Sequence, residues 1–466
     1  MTTRETLLTQ RQKSPYDPAV YLALADAHEA LGYPDLAAGD AYKALLLCDE
    51  LDGGEYEERV REVLSEEAAE VHSLSAYRSL ARNLLACGCL RSAATFCERG
   101  LRAGTDAELE STRATVDTAA RTRLDTPDFV PTAELPDSGF ARREVYPWNH
   151  HERDRYAPHA IAELNERMRA AAPKCEVRVT TLPELHGSDT TCQQLGIFAT
   201  EAIAPGETVL QEYSLITASN RHKDAVCDAC NTELDDAIPC DECDAAFCSD
   251  FCYTQAMERY HPAVCDRQEL DTIAKDPSAF EADSSLYLLL LARVLAIAVH
   301  EERNPLDVTE VKFLWGDFAP DAKLPFTFKY SIAEPLHVLE AMDQNIYVDS
   351  YDTWVFNTLY AKFRGVASAR KSALSRGDGR PDVAAVHPLW CLGNHSCDPN
   401  VSWEWGGNIA MTARTTRYLE QPGLAAGDEV LSHYCDLDLP VKERREWASG
   451  PLGGDCMCAR CIKESS

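Results

Sequence analysis

The chain has 466 residues, 45% of them hydrophobic and 26% charged, and its 45 Lys and Arg against 76 Asp and Glu give a formal net charge of −31. Such a length exceeds one ordinary core and predicts roughly two to four domains, while the acidic field attracts basic peptides and disfavours nucleic acid and anionic membrane as partners. The N-terminal MTTRETLLTQRQK lacks the apolar core of a secretory signal, so the 19 cysteines are expected in the nucleus or cytoplasm, as metal ligands rather than disulfides.

Residues 18–50 and 74–106 match at an offset of 56, as in Tyr21/Tyr77, Leu24/Leu80, Ala25/Ala81, Gly32/Gly88, Ala37/Ala93, Ala44/Gly100 and Leu45/Leu101. Large residues on one helix, small ones at the crossing and a Gly in the turn predict a repeated helix pair, and the pattern resembles tetratricopeptide repeats. Residues 51–73 are expected to add helix. Beyond Thr105 one more helical stretch precedes Pro127, Pro131, Pro136, Pro147 and Pro158. This reads as a linker crossing the surface, with Tyr146, Trp148, His150 and His151 as anchors that could dock on a neighbour.

LGIFATEAIAPGETVLQE (195–212) alternates apolar and polar residues around Pro205-Gly206 and predicts two strands joined as a hairpin. Next come Cys227-x2-Cys230, Cys240-x2-Cys243, Cys248-x3-Cys252 and His261-x3-Cys265, four ligand pairs for two tetrahedral zinc ions. Between residues 227 and 265 nine acids face the single base Arg259, so this finger lacks the cationic footprint of a DNA reader. Leu286–Val299, interrupted by Arg293, is too short to cross a bilayer and reads as a buried helix. DTWVFNTLYAKFRG predicts another helix, followed by a polar loop at SALSRGDGR. The chain then runs through Asn394-His395-Ser396-Cys397-Asp398-Pro399-Asn400, a strand pair VSWEWGGNIAMTA turned at Gly406-Gly407, the segment Gly427-Asp428-Glu429 leading to Tyr434, and Cys456-x-Cys458-x2-Cys461.

Over residues 195–461 these motifs resemble the SET-domain methyltransferases, and a finger of MYND spacing after the first strands resembles the SMYD subfamily. The resemblance implies a multidomain α+β chain: tetratricopeptide-like helices at 1–106, a helix and Pro-rich linker at 107–175, the SET N-terminal part at 176–226, the MYND finger at 227–265, a helical insert at 266–390, the SET C-terminal part at 391–436 and a post-SET tail at 437–466. Its SET core would be all-β, of small sheets with a threaded pseudoknot. In the finger it implies interleaved pairing, with Cys227, Cys230, Cys248 and Cys252 on one ion and Cys240, Cys243, His261 and Cys265 on the other. A third zinc would join Cys397 to Cys456, Cys458 and Cys461.

The same resemblance implies S-adenosylmethionine against Gly196, Ile197, Phe198, Asn394 and His395, with Tyr434 at the reacting amine and also against the cofactor, and Asn357 and Phe363 as cofactor-facing candidates in the insert. The expected function is protein-lysine N-methylation of a histone or other lysine-rich protein, with the helical repeats and the finger as protein-contact surfaces. The alternative is a catalytically silent interaction scaffold. It is suggested by two departures from the family pattern: Gln194-Leu195-Gly196 in place of GxG, and Leu452-Gly453-Gly454-Asp455 where channel aromatics are usual, with Trp447 the nearest aromatic.

Overall fold

The computed structural model describes residues 3–183, 191–221, 226–316, 318, 322–372, 379–406, 408–452 and 454–465. The polar loop at SALSRGDGR and the turn at Gly407 fall largely outside these residues. Contacts divide the chain into two compact units, Met1–Trp148 with Arg267–Ile273 and Asp317–Ala361, and Asn149–Asp266 with Ala274–Gly316 and Lys362–Ser466.

The first unit is built on two helical hairpins, Pro18–Ala30 with Pro34–Asp49 and Glu66–Cys87 with Leu90–Arg102. Pro18 and Pro34 open their helices where a missing N–H costs nothing. Asp17 and Ser65 cap the first helix of each hairpin. Gly32 and Gly88 turn the chain at φ +79° and +89°, a backbone that glycine adopts without strain. Close crossing explains the small residues: Ala25, Ala37, Ala81 and Ala93 are fully buried, and a Cβ on Gly100 would stand 2.5 Å from Leu109 Cδ1.

Two hairpins leave apolar surface uncovered, and residues 328–352 close it. Phe328 meets Tyr42 and Phe96 edge-on at 4.9 and 5.0 Å, and Tyr347 meets Tyr21 at 5.9 Å. Buried Asp352 accepts from Arg11 at 2.8 and 2.9 Å and from Lys43 at 3.2 Å. The Pro-rich stretch is more ordered than a linker. It contains the strand Gly139–Arg142, paired antiparallel with Lys323–Phe326, and Tyr146 and Trp148 stack on each other at 5.5 Å and pack on Tyr33.

The second unit is a set of small sheets. Cys175–Pro183 pairs with Thr191–Ala199, setting Arg178 opposite Gly196. Thr208–Tyr213 pairs with Asn408–Ala413, which pairs with Val401–Gly406. The expected hairpin around Pro205-Gly206 does not form, although both of its strands do. The first joins Cys175–Pro183 and the second joins Asn408–Ala413, because the intervening residues are held elsewhere: Ile203 bridges Leu424, and Gly206 N–H donates to Ala413 O at 2.8 Å. Leu195, Ile197, Leu210, Ile409, Met411 and Val430 form the core, covered by Leu164 and Met168 of the helix Pro158–Ala171.

The helix Ala282–His300 is long and apolar enough by composition to cross a membrane, but most of its apolar window is packed inside this unit. Arg293 interrupts it for a local reason. Its guanidinium lies 3.7 Å from the centroid of the Tyr260 ring and donates to Asp228 O at 2.7 Å, tying the helix to the finger.

Candidate active site and metal centres

A tetrahedron of thiolates about 2.3 Å from zinc has edges of about 3.8 Å, slightly less where imidazole replaces sulfur. Cys230–Cys248 and Cys248–Cys252 are each 3.6 Å apart and Cys240–Cys265 is 3.7 Å. His261 Nε2 stands 3.4 Å from Cys240 and 3.5 Å from Cys243. The ligand atoms gather as Cys227, Cys230, Cys248 and Cys252, and as Cys240, Cys243, His261 and Cys265, so the chain folds the pairs into an interleaved arrangement. A third group joins Cys397, Cys456, Cys458 and Cys461, with Cys397 Sγ 3.9 Å from Cys456 and 3.4 Å from Cys461. In chemistry and spacing all three groups could hold zinc.

Cys397 follows the short strand Asn394–His395, which runs parallel to Leu431–Ser432. That pairing brings residues 37 apart in sequence into one site. Asn394 Nδ2 donates to Leu195 O at 3.1 Å and to Glu429 Oε1 at 2.7 Å. Gly196 lies beneath this amide. A Cβ there would meet Glu429 Oε1 at 2.5 Å, the Phe198 ring at 3.1 Å and Asn394 Nδ2 at 3.2 Å, so only glycine lets these three groups approach the strand backbone this closely. Burial raises the Glu429 carboxyl, which the Asn394 hydrogen bond opposes.

Tyr434 lies beyond that strand pair. Its hydroxyl donates to Gly393 O at 2.9 Å, so the oxygen offers only acceptor lone pairs to anything facing it. Burial also pushes the phenol pKa up, keeping it protonated. Its backbone N–H donates to His395 Nδ1 at 3.0 Å. An imidazole that accepts at Nδ1 carries its proton at Nε2, and here Nε2 stands 3.3 Å from Cys397 Sγ. His395, Cys397 and Cys435 also cluster as possible ligands. The tautomer makes His395 a donor to the Cys397 sulfur rather than a ligand, leaving the four cysteines as the coordinating set.

The SET domain description matches residues 194–435, just over half of the sequence. The chain belongs to the SET-domain family. Its relatives are of the SMYD type. It is 24% identical over 278 residues to the mouse protein named histone-lysine N-methyltransferase SMYD3, covering 57% of this chain and 58% of that protein. It is 33% identical over 73 residues to a SET and MYND domain-containing protein of Dictyostelium discoideum, covering 16% and 13%. The chain thus spans less than two thirds of the length of either relative.

Within the SET core, Gly196, Phe198, Asn394, His395 and Tyr434 come together, while Ile197 is fully buried and joins the site only through its backbone, its carbonyl accepting from Val430 N–H at 2.7 Å. Asn357 is placed otherwise. It belongs to the first unit, where its Nδ2 donates to Asp35 at 2.7 Å and to Tyr146 at 3.3 Å, and that network commits the amide. Phe363 is fully buried. Glu429, Asn400 and Cys435 were given no role by the sequence reading. Asn400 bridges the two strands, donating to Glu429 O at 2.7 Å and accepting from Leu431 N–H at 2.8 Å. The acid of Gly427-Asp428-Glu429 was the one available signal.

Two buried groups support the segment leading into Asn394. Glu212 accepts from Leu389 N–H at 2.9 Å and Trp390 N–H at 2.8 Å, and burial pushes its carboxyl up from 4.5 to about 7. Its stabilising contribution is therefore present below pH 4.5 and lost as pH rises through 7. His387 is fully buried, neither ring nitrogen has a hydrogen-bond partner, and burial lowers it from 6.5 to about 3. Its contribution is present above pH 6.5 and lost as pH falls through 3, so the two oppose each other in between. Glu212→Gln removes only the first. The variant should gain melting temperature relative to wild type between pH 5 and 7, by several degrees for a differential on the order of 3 kcal/mol. Parallel melting curves across that range would contradict this assignment.

Proposed function

We propose that the chain is an S-adenosylmethionine-dependent protein-lysine N-methyltransferase with three zinc ions, two in the finger and one fastening the post-SET tail. The observation that carries this reading is the close meeting of Gly196, Asn394 and Glu429, tight enough that only glycine fits, with an acceptor-only tyrosine oxygen in the same site. When bound, the cofactor supplies a sulfonium methyl. The Asn394 amide and the backbone of Gly196–Phe198 would border its seat. Tyr434 Oη accepts from an incoming amine N–H, turning the nitrogen lone pair toward the methyl, and supports the methyl through weak CH···O contact.

Lysine must arrive neutral, which costs about 4 kcal/mol near pH 7.4, and an enclosed channel contributes by disfavouring the ammonium. The net charge of −31 favours a basic, lysine-rich protein substrate over DNA. The N-terminal hairpins suit a tetratricopeptide-like protein-contact surface, and the acidic finger a peptide contact. The expected compartment is nucleus or cytoplasm. A silent scaffold is favoured by Gln194-Leu195-Gly196 in place of GxG and by the tail, where Trp447 is 59% exposed.

Calorimetry separates the two. Wild type should bind S-adenosylmethionine at one site per chain, and Gly196→Val should weaken binding at least about 100-fold by forcing Asn394 and Glu429 away from the strand. A folded, zinc-loaded wild type that binds no cofactor would leave only the scaffold.

A further inference from the structure

We propose that Arg155 is the anion clamp of the donor pocket, its guanidinium taking the carboxylate at the amino-acid end of S-adenosylmethionine. The inference rests on the donor reading above.

Carbonyls of alternate residues in a strand face the same edge. On Thr191–Ala199, the carbonyls of Gln193, Leu195 and Ile197 accept in turn from Tyr156 Oη at 2.7 Å, Asn394 Nδ2 at 3.1 Å and Val430 N–H at 2.7 Å. The Tyr156 hydroxyl therefore sits on the same strand edge as the Asn394 amide, at carbonyls two residues or about 7 Å apart along the strand. Arg155 immediately precedes Tyr156. It is 9% exposed, and its Nε and Nη1 are enclosed with no hydrogen-bond partner among the described residues. Its guanidinium lies 5.3 Å from the centroid of Trp315 and 5.9 Å from that of Tyr156. Cys391, three residues before Asn394, lies within electrostatic range of both Arg155 and Tyr434.

A buried guanidinium with unmet N–H groups is costly, because each donor has left water without gaining a partner and the charge is desolvated with it. A carboxylate is the ligand that relieves it, because the planar fork binds both oxygens together. The neighbouring cations are otherwise engaged. Lys362 donates to Glu152 at 3.0 Å and to Leu314 O at 2.8 Å. Arg178, opposite Gly196, is paired with Glu176 and its side chain is 46% exposed. Arg155 combines burial with free donors.

The test titrates the zinc-loaded full chain with S-adenosylhomocysteine, which carries the amino-acid tail, and with 5′-methylthioadenosine, which lacks it. Arg155→Met retains most of the side-chain length and removes the charge. It should weaken S-adenosylhomocysteine by about 10- to 100-fold, the range of a charge-assisted hydrogen bond, and leave methylthioadenosine within about twofold. Arg155→Lys, which keeps the charge without the fork, should fall between and serves alone if the Met variant does not fold. Arg178→Met should weaken neither ligand appreciably. The proposal is overturned if Arg155→Met binds S-adenosylhomocysteine like wild type, if it loses both ligands equally, as a packing role would require, or if the tail-specific loss follows Arg178→Met instead. Wild type binding neither ligand would overturn the donor reading together with this one.

Discussion

Tyr434→Phe is expected to lower kcat for methyl transfer by about 100-fold, close to 3 kcal/mol, while cofactor affinity stays within about twofold. The hydroxyl proton is occupied by Gly393 O at 2.9 Å, so the lost feature is an acceptor that orients the amine and the methyl. Such an interaction matters chiefly in the transition state, where a misplaced nucleophile is most costly. A phenyl ring keeps the packing against His395, whose ring centroid lies 5.1 Å away. Equal losses in kcat and cofactor binding, read from steady-state kinetics alongside calorimetry, would mean that Tyr434 holds the pocket rather than the chemistry.

Cys397→Ser should reduce bound zinc from three ions to two, expose residues 456–465 to limited proteolysis, and abolish measurable transfer. The tail has little else to hold it. Its core cluster is Cys397, Cys435, Ala448, Cys456 and Cys461, with Val441, Leu452 and Cys458 packed alongside, so a zinc ion on these thiolates would supply most of its cohesion. Arg460 donates to Cys397 O at 2.9 Å, and buried Arg444 donates to Cys461 Sγ at 3.8 Å, contacts that depend on the sulfurs staying in place. The effect should reach the reaction centre through His395, which joins the Cys397 sulfur to the Tyr434 backbone. Metal analysis by mass spectrometry, proteolysis and the transfer assay read these consequences separately. A variant that keeps three zinc ions would contradict the assignment of Cys397 as a ligand.

What the sequence disclosed was decided by local chemistry. A cysteine pair two or three residues apart has few uses in a reducing compartment, and Asn394-His395-Ser396-Cys397 is contiguous, so metal sets and motif could be read directly. The glycine and alanine positions of the N-terminal repeat were similarly legible, because helix crossing imposes them at fixed spacing. Contacts between distant segments were not. Glu429 reaches Asn394 only after parallel pairing of Leu431–Ser432 with Asn394–His395, and no periodicity announces a two-residue strand. Pro205-Gly206 looked like a hairpin turn because turn chemistry is local, whereas the first strand pairs with the preceding Cys175–Pro183 and the second with Asn408–Ala413, far along the chain. Asn357 was a cofactor-facing candidate by family resemblance alone, and its amide nitrogen donates to a buried carboxylate, Asp35.

The most direct measurement is transfer of a labelled methyl group from S-adenosylmethionine to a lysine-containing peptide array by the zinc-loaded chain, with the product identified by mass spectrometry. Methyllysine on basic peptides, made by wild type and nearly lost in Tyr434→Phe, is the predicted result. A folded chain with full zinc content and bound cofactor that methylates no lysine would contradict the account.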